Sequence, residues 1–212
     1  MGNTTTIYLV RHGQTAANAT NTIQGQSDVP LDETGLLQAE LVGKRLRKQH
    51  FDVIFSSDLS RAAVTAGSIA DGREVIFDRN LREWDLGDWV GLTFDEIKEK
   101  FPAEAADFTS GSMDAGVSGG ESRRQFHDRA GSVMENIISL YPGKTVLCVT
   151  HGGVLRAIFR NIMCDPECHV RMIRTDNTCI CGFRYFHDTG KWQLLCWNDT
   201  AHLEGTALSS GW

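Results

Sequence analysis

Two kinds of apolar pattern divide this chain into alternating strands and helices. Short continuous apolar runs, rich in residues that favour β structure, predict buried strands. These runs lie at 7–10, 53–55, 75–77, 145–150, 179–187 and 191–197. The last two flank a turn-like Asp-Thr-Gly sequence, which predicts a hairpin.

Apolar residues three and four positions apart predict helices between these strands. A first helix over 34–48 would place Leu37, Leu41, Val42 and Leu46 on one face. The clearest helix begins after Ser122, which has capping-box spacing to a glutamine, and ends before a Pro-Gly pair. Further helices are expected at about 58–70, 93–100 and 153–162.

Strands that alternate with helices predict one α/β domain over residues 1–212. We expect a three-layer sandwich with a mainly parallel central sheet, helices on both faces and an antiparallel edge strand in the final hairpin. The segment at about 92–120 ends in a stretch poor in apolar residues and rich in Gly, Ser and Ala. Such a stretch inside a compact domain predicts a lid-like insertion.

The composition indicates which classes of binding partner to expect. The net charge is −6, 41% of residues are apolar, and no basic cluster stands out, so we expect neither a nucleic-acid nor a membrane partner. No signal peptide is predicted, which favours a cytoplasmic location. The start Met-Gly-Asn matches the N-myristoylation pattern but has no polybasic neighbour to strengthen an anchor. Oligomeric state is left open.

Six cysteines raise the question of a metal site. Cys164 and Cys168 precede the pair Cys179 and Cys181, but these spacings are not those of a zinc finger or knuckle. Cys148 lies in a predicted strand and is interpreted as a small buried apolar residue. We therefore expect reduced thiols and no metal site.

Two of the predicted strands are each followed by a histidine and a glycine. The first runs into Arg11, His12 and Gly13, and the fourth runs into His151 and Gly152. Ligands bind at the carboxyl ends of strands in open α/β sheets, and Gly13 lacks the Cβ that would keep a ligand from the backbone. If the two strands are neighbours, their histidines face each other across one crevice.

The motifs Arg-His-Gly-Gln-Thr at 11–15 and Thr-His-Gly-Gly at 150–153 resemble those of the histidine phosphatase (phosphoglycerate mutase-like) superfamily. The resemblance extends over nearly the whole chain, which also resembles the small broad-specificity and α-ribazole phosphatases of this superfamily. It implies the same α/β fold and a small phosphorylated metabolite as the substrate. Gln14 stands at the position directly after Arg-His-Gly where an acidic residue is commoner in the family.

The resemblance implies a role for each matching residue. His12 would attack phosphorus as a neutral imidazole, and Arg11, Arg61 and His151 would cradle the phosphoryl oxygens. Asn18 would be a neutral donor to the same oxygens. We further expect substrate contacts from Thr15, Gln24, Gly25 and Gly152. No cofactor or metal is required, because Arg11, Arg61 and His151 supply the positive charge.

The loop 81–91 carries three acids, and one of them is needed to protonate the leaving oxygen. Glu83 matches the family's acid/base glutamate, with Asp85 and Asp88 as rivals. We interpret Glu121 as a residue that places the lid, and Arg123 and Arg124 as solvated surface charges.

The reaction predicted is hydrolysis of small phosphate monoesters through a phosphohistidine. Two observations favour a phosphatase over a mutase: the interval from Glu83 to His151 is compact, and residues 102–120 contain no Lys or Arg to hold a second anion. A cofactor-dependent phosphoglycerate mutase or a sugar bisphosphatase is the alternative. A non-catalytic phospho-ligand-binding protein is the second alternative.

Overall fold

A computed structural model describes residues 3–163 and 173–208. Its centre is a six-stranded sheet in the order β3-β2-β4-β1-β5-β6. The strands are β1 Thr4–Arg11, β2 Val53–Ser56, β3 Ile76–Phe77, β4 Thr145–Thr150, β5 Ile180–Phe186 and β6 Lys191–Asp199. Neighbours from β3 to β1 pair in parallel, β5 is antiparallel to both β1 and β6, and the predicted fold class is confirmed.

Helices cover both faces of the sheet. They are α1 Ala16–Ala19, α2 Glu33–Leu46, α3 Ser60–Ala70, α4 Phe94–Lys100, α5 Pro102–Ser110, α6 Arg123–Leu140 and α7 Gly152–Met163. α2 and α3 pack on one face around Val42, Leu46 and Ile69, whereas α6 and α7 pack on the other around Phe126 and Ile158. No helix among the described residues is long and apolar enough to cross a membrane.

Two details of the helices differ from the sequence prediction. Leu37 is 52% exposed, because α2 instead turns Gly35, Ala39 and Gly43 towards the molecule. Small residues let this helix approach its neighbours closely, and an apolar count does not detect that. α5 was not predicted, because its only buried residue is Ala105 and its amphipathic pattern is correspondingly weak.

The segment 92–120, which we call the cap segment, is held down by aromatic packing. The ring of Phe108 in α5 lies 5.0 Å from that of Trp84 and 5.1 Å from that of Trp89, measured between centroids. Ser118 accepts a backbone hydrogen bond from Asp88. A Cβ on Gly87 would lie 2.1 Å from the oxygen of Ser118, so this close approach requires glycine.

Candidate active site

The sheet register brings the two histidine motifs together. Arg11 pairs with Thr150 across β1 and β4, so His12 and His151 follow at the same sheet edge. Their ring centroids lie 5.0 Å apart. His12 lines a cavity of about 410 Å³, and Arg11, Arg61 and Glu83 share its wall.

His12 is held in one tautomer. Its Nδ1 lies 2.6 Å from the carbonyl oxygen of Gly13, and a carbonyl only accepts, so Nδ1 carries the hydrogen. The lone pair of the neutral ring is therefore on Nε2. Burial lowers the pKa of His12 well below 6.5, and the charges of Arg11 and Arg61 lower it further. The ring is thus neutral near pH 7, with a bare nitrogen in the cavity wall.

His151 is fully buried, and protein groups engage both of its nitrogens. Nδ1 accepts from Nε of Arg61 at 3.3 Å, so the neutral ring carries its hydrogen on Nε2. That Nε2 lies 2.9 Å from Oγ of Ser57. Burial lowers the pKa of His151 well below 6.5, with His12 and Arg61 adding to the effect. His151 can donate to a phosphoryl oxygen only if Nε2–H leaves Ser57.

Arg61 lies at the first turn of α3 and is 1% exposed. Its Nη1 donates to the carbonyl of Ser27 at 2.7 Å, and its Nη2 donates to that of Gly25 at 2.9 Å. Gly25 has a φ of +51°, a conformation that favours glycine, and it also lines the cavity. The loop that contains Gly25 therefore fixes the direction of the Arg61 guanidinium.

Arg11 lies beside His12 with a donor still to satisfy. Nη1 donates to the carbonyl of Thr175 at 2.6 Å, whereas the buried Nε has no hydrogen-bond partner in the described structure. A Cβ on Gly152 would come within 3.2 Å of this Nε. Gly152 thus makes room for Arg11 rather than lining the cavity itself.

Glu83 meets the start of α7. Its Oε2 accepts from the backbone N–H of Gly153 at 2.9 Å, and its Oε1 accepts from that of Trp84 at 2.9 Å. A Cβ on Gly153 would lie 2.1 Å from Oε1, so only glycine admits the carboxylate here. Asp85 and Asp88, the rivals of Glu83, are not among the cavity-lining residues.

Arg129 holds the backbone that presents Glu83, and sequence reasoning missed it. Its Nη1 donates to the carbonyls of Asn80 and Arg82, and its Nη2 donates to that of Glu83 at 3.1 Å. Its Nε donates to Glu121 at 2.8 Å, and Glu121 also accepts from the backbone of Asp85. Glu121 therefore braces the loop 81–91 as well as the start of α6.

The polar loop after β1 divides between the cavity wall and its support. Asn18 and Gln24 line the cavity, whereas Thr15 is fully buried and caps α1. Oδ1 of Asn18 accepts from the backbone of Thr15 and from Nδ2 of Asn177, both at 3.2 Å. This arrangement leaves the Nδ2 of Asn18 as the group that can donate to a ligand.

The segment before β5 completes the site and was also missed. Because β5 is antiparallel to β1, its first residues lie at the carboxyl end of β1, where Val10 pairs with Ile180. Nδ2 of Asn177 donates to the carbonyl of His12 at 3.1 Å, and Thr175 accepts from Arg11. The polar run Thr-Asp-Asn-Thr before the predicted hairpin was the available signal.

Two other expectations need correction. A Cβ on Gly13 would lie 2.4 Å from the oxygen of Gly35, so Gly13 admits the start of α2 and not a ligand. Arg123 is not a solvated charge: it is 9% exposed, and its guanidinium lies over the rings of Trp84 and Phe108. Arg124, by contrast, is exposed and pairs with an aspartate.

Only some of the residues in the cysteine and N-myristoylation predictions lie in the described part of the chain. Cys148, Cys179 and Cys181 are buried free thiols, and burial raises the pKa of Cys148 and of Cys181. Within 3–163 and 173–208, no group of His, Cys, Asp or Glu side chains is arranged to hold a metal ion. Gly2, Cys164 and Cys168 lie outside the described residues.

Comparison with known families decides the relationship. A model of the Histidine phosphatase superfamily (branch 1) matches residues 7–200. The chain belongs to this superfamily.

Two proteins with names resemble this chain in sequence over nearly its whole length. Phosphoglycerate mutase-like protein 4 of Arabidopsis thaliana is 39% identical over 97% of this chain and 90% of that protein. The probable phosphoglycerate mutase GpmB of Salmonella choleraesuis is 35% identical over 95% of this chain and 96% of that protein. Both of these sequence relatives carry mutase names.

Two solved structures that are similar to this chain are named phosphatases. A variant of phosphoserine phosphatase from Entamoeba histolytica, in complex with phosphoserine, matches with a TM-score of 0.85 and 30% identity, covering 94% of this chain and 99% of that one. Mycobacterial glucosyl-3-phosphoglycerate phosphatase matches with a TM-score of 0.82 and 29% identity, covering 93% and 100%. The prediction from the paired motifs is confirmed at the level of the superfamily.

Proposed function

We propose that this chain hydrolyses small phosphate monoesters, without a metal ion, by way of a phosphohistidine on His12. The observation that carries the proposal is the state of that ring. A neutral imidazole with Nδ1–H tied to a carbonyl presents a lone pair on Nε2 to the cavity, as a nucleophile must. Arg11 and Arg61 stand beside it to bind the phosphoryl oxygens.

The reaction has two displacements. Nε2 of His12 forms a bond to phosphorus while the bond from phosphorus to the leaving oxygen breaks, and the Glu83 carboxyl gives that oxygen its proton. A water molecule then attacks phosphorus and gives a proton to Glu83, while the bond between phosphorus and Nε2 of His12 breaks. Orthophosphate leaves, and the neutral ring is restored. Asn18 donates to the phosphoryl oxygens through Nδ2, and His151 supports Arg61 and can donate once Nε2–H turns from Ser57.

Positive charge for phosphoryl transfer comes from Arg11 and Arg61 in this scheme. Both side chains are directed by backbone carbonyls, and the buried Nε of Arg11 awaits an acceptor. A divalent ion fills the same electrostatic role in other phosphoryl-transfer enzymes. Activity should therefore survive treatment with a chelator.

Two structural neighbours that are named phosphatases support hydrolysis over mutase activity, and so does the compact interval before His151. The names of the sequence relatives support phosphoglycerate mutase as the second candidate. We infer a cytoplasmic location, because free thiols at the described cysteines suit a reducing compartment.

The two functions separate in one assay. Purified enzyme treated with a chelator is given 3-phosphoglycerate with a trace of 2,3-bisphosphoglycerate, and both orthophosphate and 2-phosphoglycerate are measured. We expect orthophosphate release to exceed isomerisation, and p-nitrophenyl phosphate to be hydrolysed as well. Isomerisation that exceeds hydrolysis about tenfold would identify a mutase, and rescue of a chelated, inactive enzyme by Mg²⁺ would refute the metal-free mechanism.

A further inference from the structure

The cavity around His12 has a second end that the phosphoryl group does not reach. Phosphoryl transfer occupies the end formed by Arg11, His12, Arg61 and Glu83. The wall then continues over the rings of Trp84, Phe108 and Phe126. Three further basic side chains line the same cavity near these rings, and their charges act on one another: Arg123, His127 and Arg160. Arg156 also lines the cavity but lies nearer the phosphoryl end, where it donates to Oγ1 of Thr175.

One face of α7, which we call the ladder, lines the cavity from the Glu83 end to this far end. Gly153, which donates to Glu83, Arg156, Ala157 and Arg160 all line the cavity, and their spacing of three and four places them on one helix face. At 1.5 Å per residue, Arg156 lies about 4.5 Å and Arg160 about 10 Å along the axis from Gly153. The ladder therefore offers cations at one and two helical turns from the acid.

α6 contributes a second row of residues that line the cavity. Arg123, Phe126 and His127 line the cavity at intervals of three and four residues. Backbone carbonyls of Ser112 and Phe108 accept from Nε and Nη2 of Arg123. Within 3–163 and 173–208 no residue accepts from its Nη1. The guanidinium is thus fixed in place with a donor to spare.

Among the described residues that line the cavity, the far end carries more positive than negative charge. Burial lowers the pKa of Arg123, and the charge of Arg160 lowers it further, while Asp107 opposes this effect. Burial likewise lowers the pKa of His127, with Arg123 and Arg160 contributing and Asp128 opposing. Glu83 is the one acid among the cavity-lining residues that the structure describes, and the backbone of α7 already binds it. Like charges gathered around a cavity favour an anionic ligand.

We propose that Arg160 and Arg123 bind a second anionic group, a carboxylate or a phosphate, on the alcohol part of the substrate. The inference rests on the proposed phosphatase function and names its substrate class: esters whose second anion lies roughly one to two helical turns from the scissile phosphate. The cations come from α6 and α7, so the absence of Lys and Arg in 102–120 does not leave the cavity without a second anion site.

The test uses pairs of esters that differ in the second anion. One pair is 3-phosphoglycerate and glycerol 3-phosphate, and another is phosphoserine and phosphoethanolamine. Fructose 1,6-bisphosphate and fructose 6-phosphate test phosphate as the second anion, and so separate the two sources. The readout is the ratio of kcat/KM between members of each pair, measured for wild type, Arg160→Gln, Arg123→Gln and Arg124→Gln.

We expect wild type to favour at least one anionic member about 10-fold or more, since hydrogen bonds between charged groups are worth that much. Arg160→Gln and Arg123→Gln should each lower the ratio about 10-fold, whereas Arg124→Gln, which removes an exposed charge next to Arg123, should leave it within about twofold. Because Arg123 also holds the cap segment, Arg160→Gln decides if the Arg123 variant does not fold.

Two outcomes would overturn the inference in different ways. An active wild type with a ratio near one in all pairs, or a ratio that Arg160→Gln leaves unchanged, would overturn the second anion site alone. A wild type that hydrolyses none of these esters, and not p-nitrophenyl phosphate either, would overturn the proposed function and this inference with it.

Discussion

At the scale of single residues, close contacts decide what His12 and Glu83 can do. One carbonyl oxygen, that of Gly13, settles which nitrogen of His12 is bare. One missing methyl group, at Gly153, lets the Glu83 carboxylate reach the first turn of α7. The second histidine motif therefore contributes more than a histidine, because its glycines make room for Arg11 and for the acid.

Gly153→Ala should displace Glu83, because the new Cβ would lie 2.1 Å from Oε1. We expect a loss of about 100-fold in phosphorylation of His12 by alkyl phosphates, whose leaving oxygens need a proton, and a smaller loss with p-nitrophenyl phosphate. Glu83→Gln should show the same dependence on the leaving group. The rate of the first chemical step, followed by rapid quenching, measures both variants.

Gly67→Ala is the matched control for this substitution. It adds the same methyl group to a helix, but nothing lies within 4 Å of the new Cβ. Its activity should equal that of wild type, with a stability that is equal or slightly higher. Equal losses for alkyl and aryl phosphates in Glu83→Gln would remove Glu83 from the role of acid.

At the scale of elements, strand ends and helix faces differ in how far the sequence predicts them. β1 and β4 were identified by their apolar runs, and the histidines that follow them meet as expected. The segment 175–178 was missed because its place depends on β5 being antiparallel to β1 and next to it. A helical pattern shows that α6 and α7 are amphipathic, but not which of their arginines face the cavity. That choice depends on how the two helices pack.

Arg129 on α6 shows how such a hidden residue can be tested. It fixes the backbone from Asn80 to Glu83, so Arg129→Lys, which keeps the charge but loses the fork of donors, should lower kcat about 10- to 100-fold with little change in KM. Steady-state kinetics with an alkyl phosphate measure the split. Arg124→Lys on the exposed side of the same helix is the control. A kcat for Arg129→Lys within twofold of wild type would show that the loop keeps its conformation without Arg129.

At the scale of the whole molecule, charge is distributed unevenly. A chain with a net charge of −6 surrounds a cavity lined by five arginines among its described residues. The molecule also holds four buried or half-buried histidines. Burial lowers the pKa of His12, His127, His151 and His202, and brings that of His202 to about 4.

These lowered histidine pKa values predict that the folded protein loses stability in acid. In the unfolded chain these histidines regain an ordinary pKa of about 6.5, so unfolding takes up protons below that pH. The free energy of unfolding should therefore fall as the pH drops from 7.5 to 5.5, by up to about 1.4 kcal/mol per pH unit for each histidine. Carboxylates contribute little in this window, since their ordinary pKa values lie near 4.

Urea unfolding at several pH values measures this slope. His202→Gln should make the dependence shallower, because one depressed histidine is removed. His50→Gln, at a side chain that is 83% exposed, should leave the slope unchanged. A stability that is constant or rises towards pH 5.5 would contradict the buried neutral histidines.

The central claim, that phosphate passes through Nε2 of His12, has a direct test. The enzyme is mixed with a radiolabelled phosphate monoester and quenched within one turnover in alkali or in acid. We predict label on the protein after alkali and its loss after acid, because a phosphoramidate is stable to base and labile to acid. His12→Ala should abolish the label, and His50→Gln should keep it. Label that survives acid, or that persists in His12→Ala, would contradict the account.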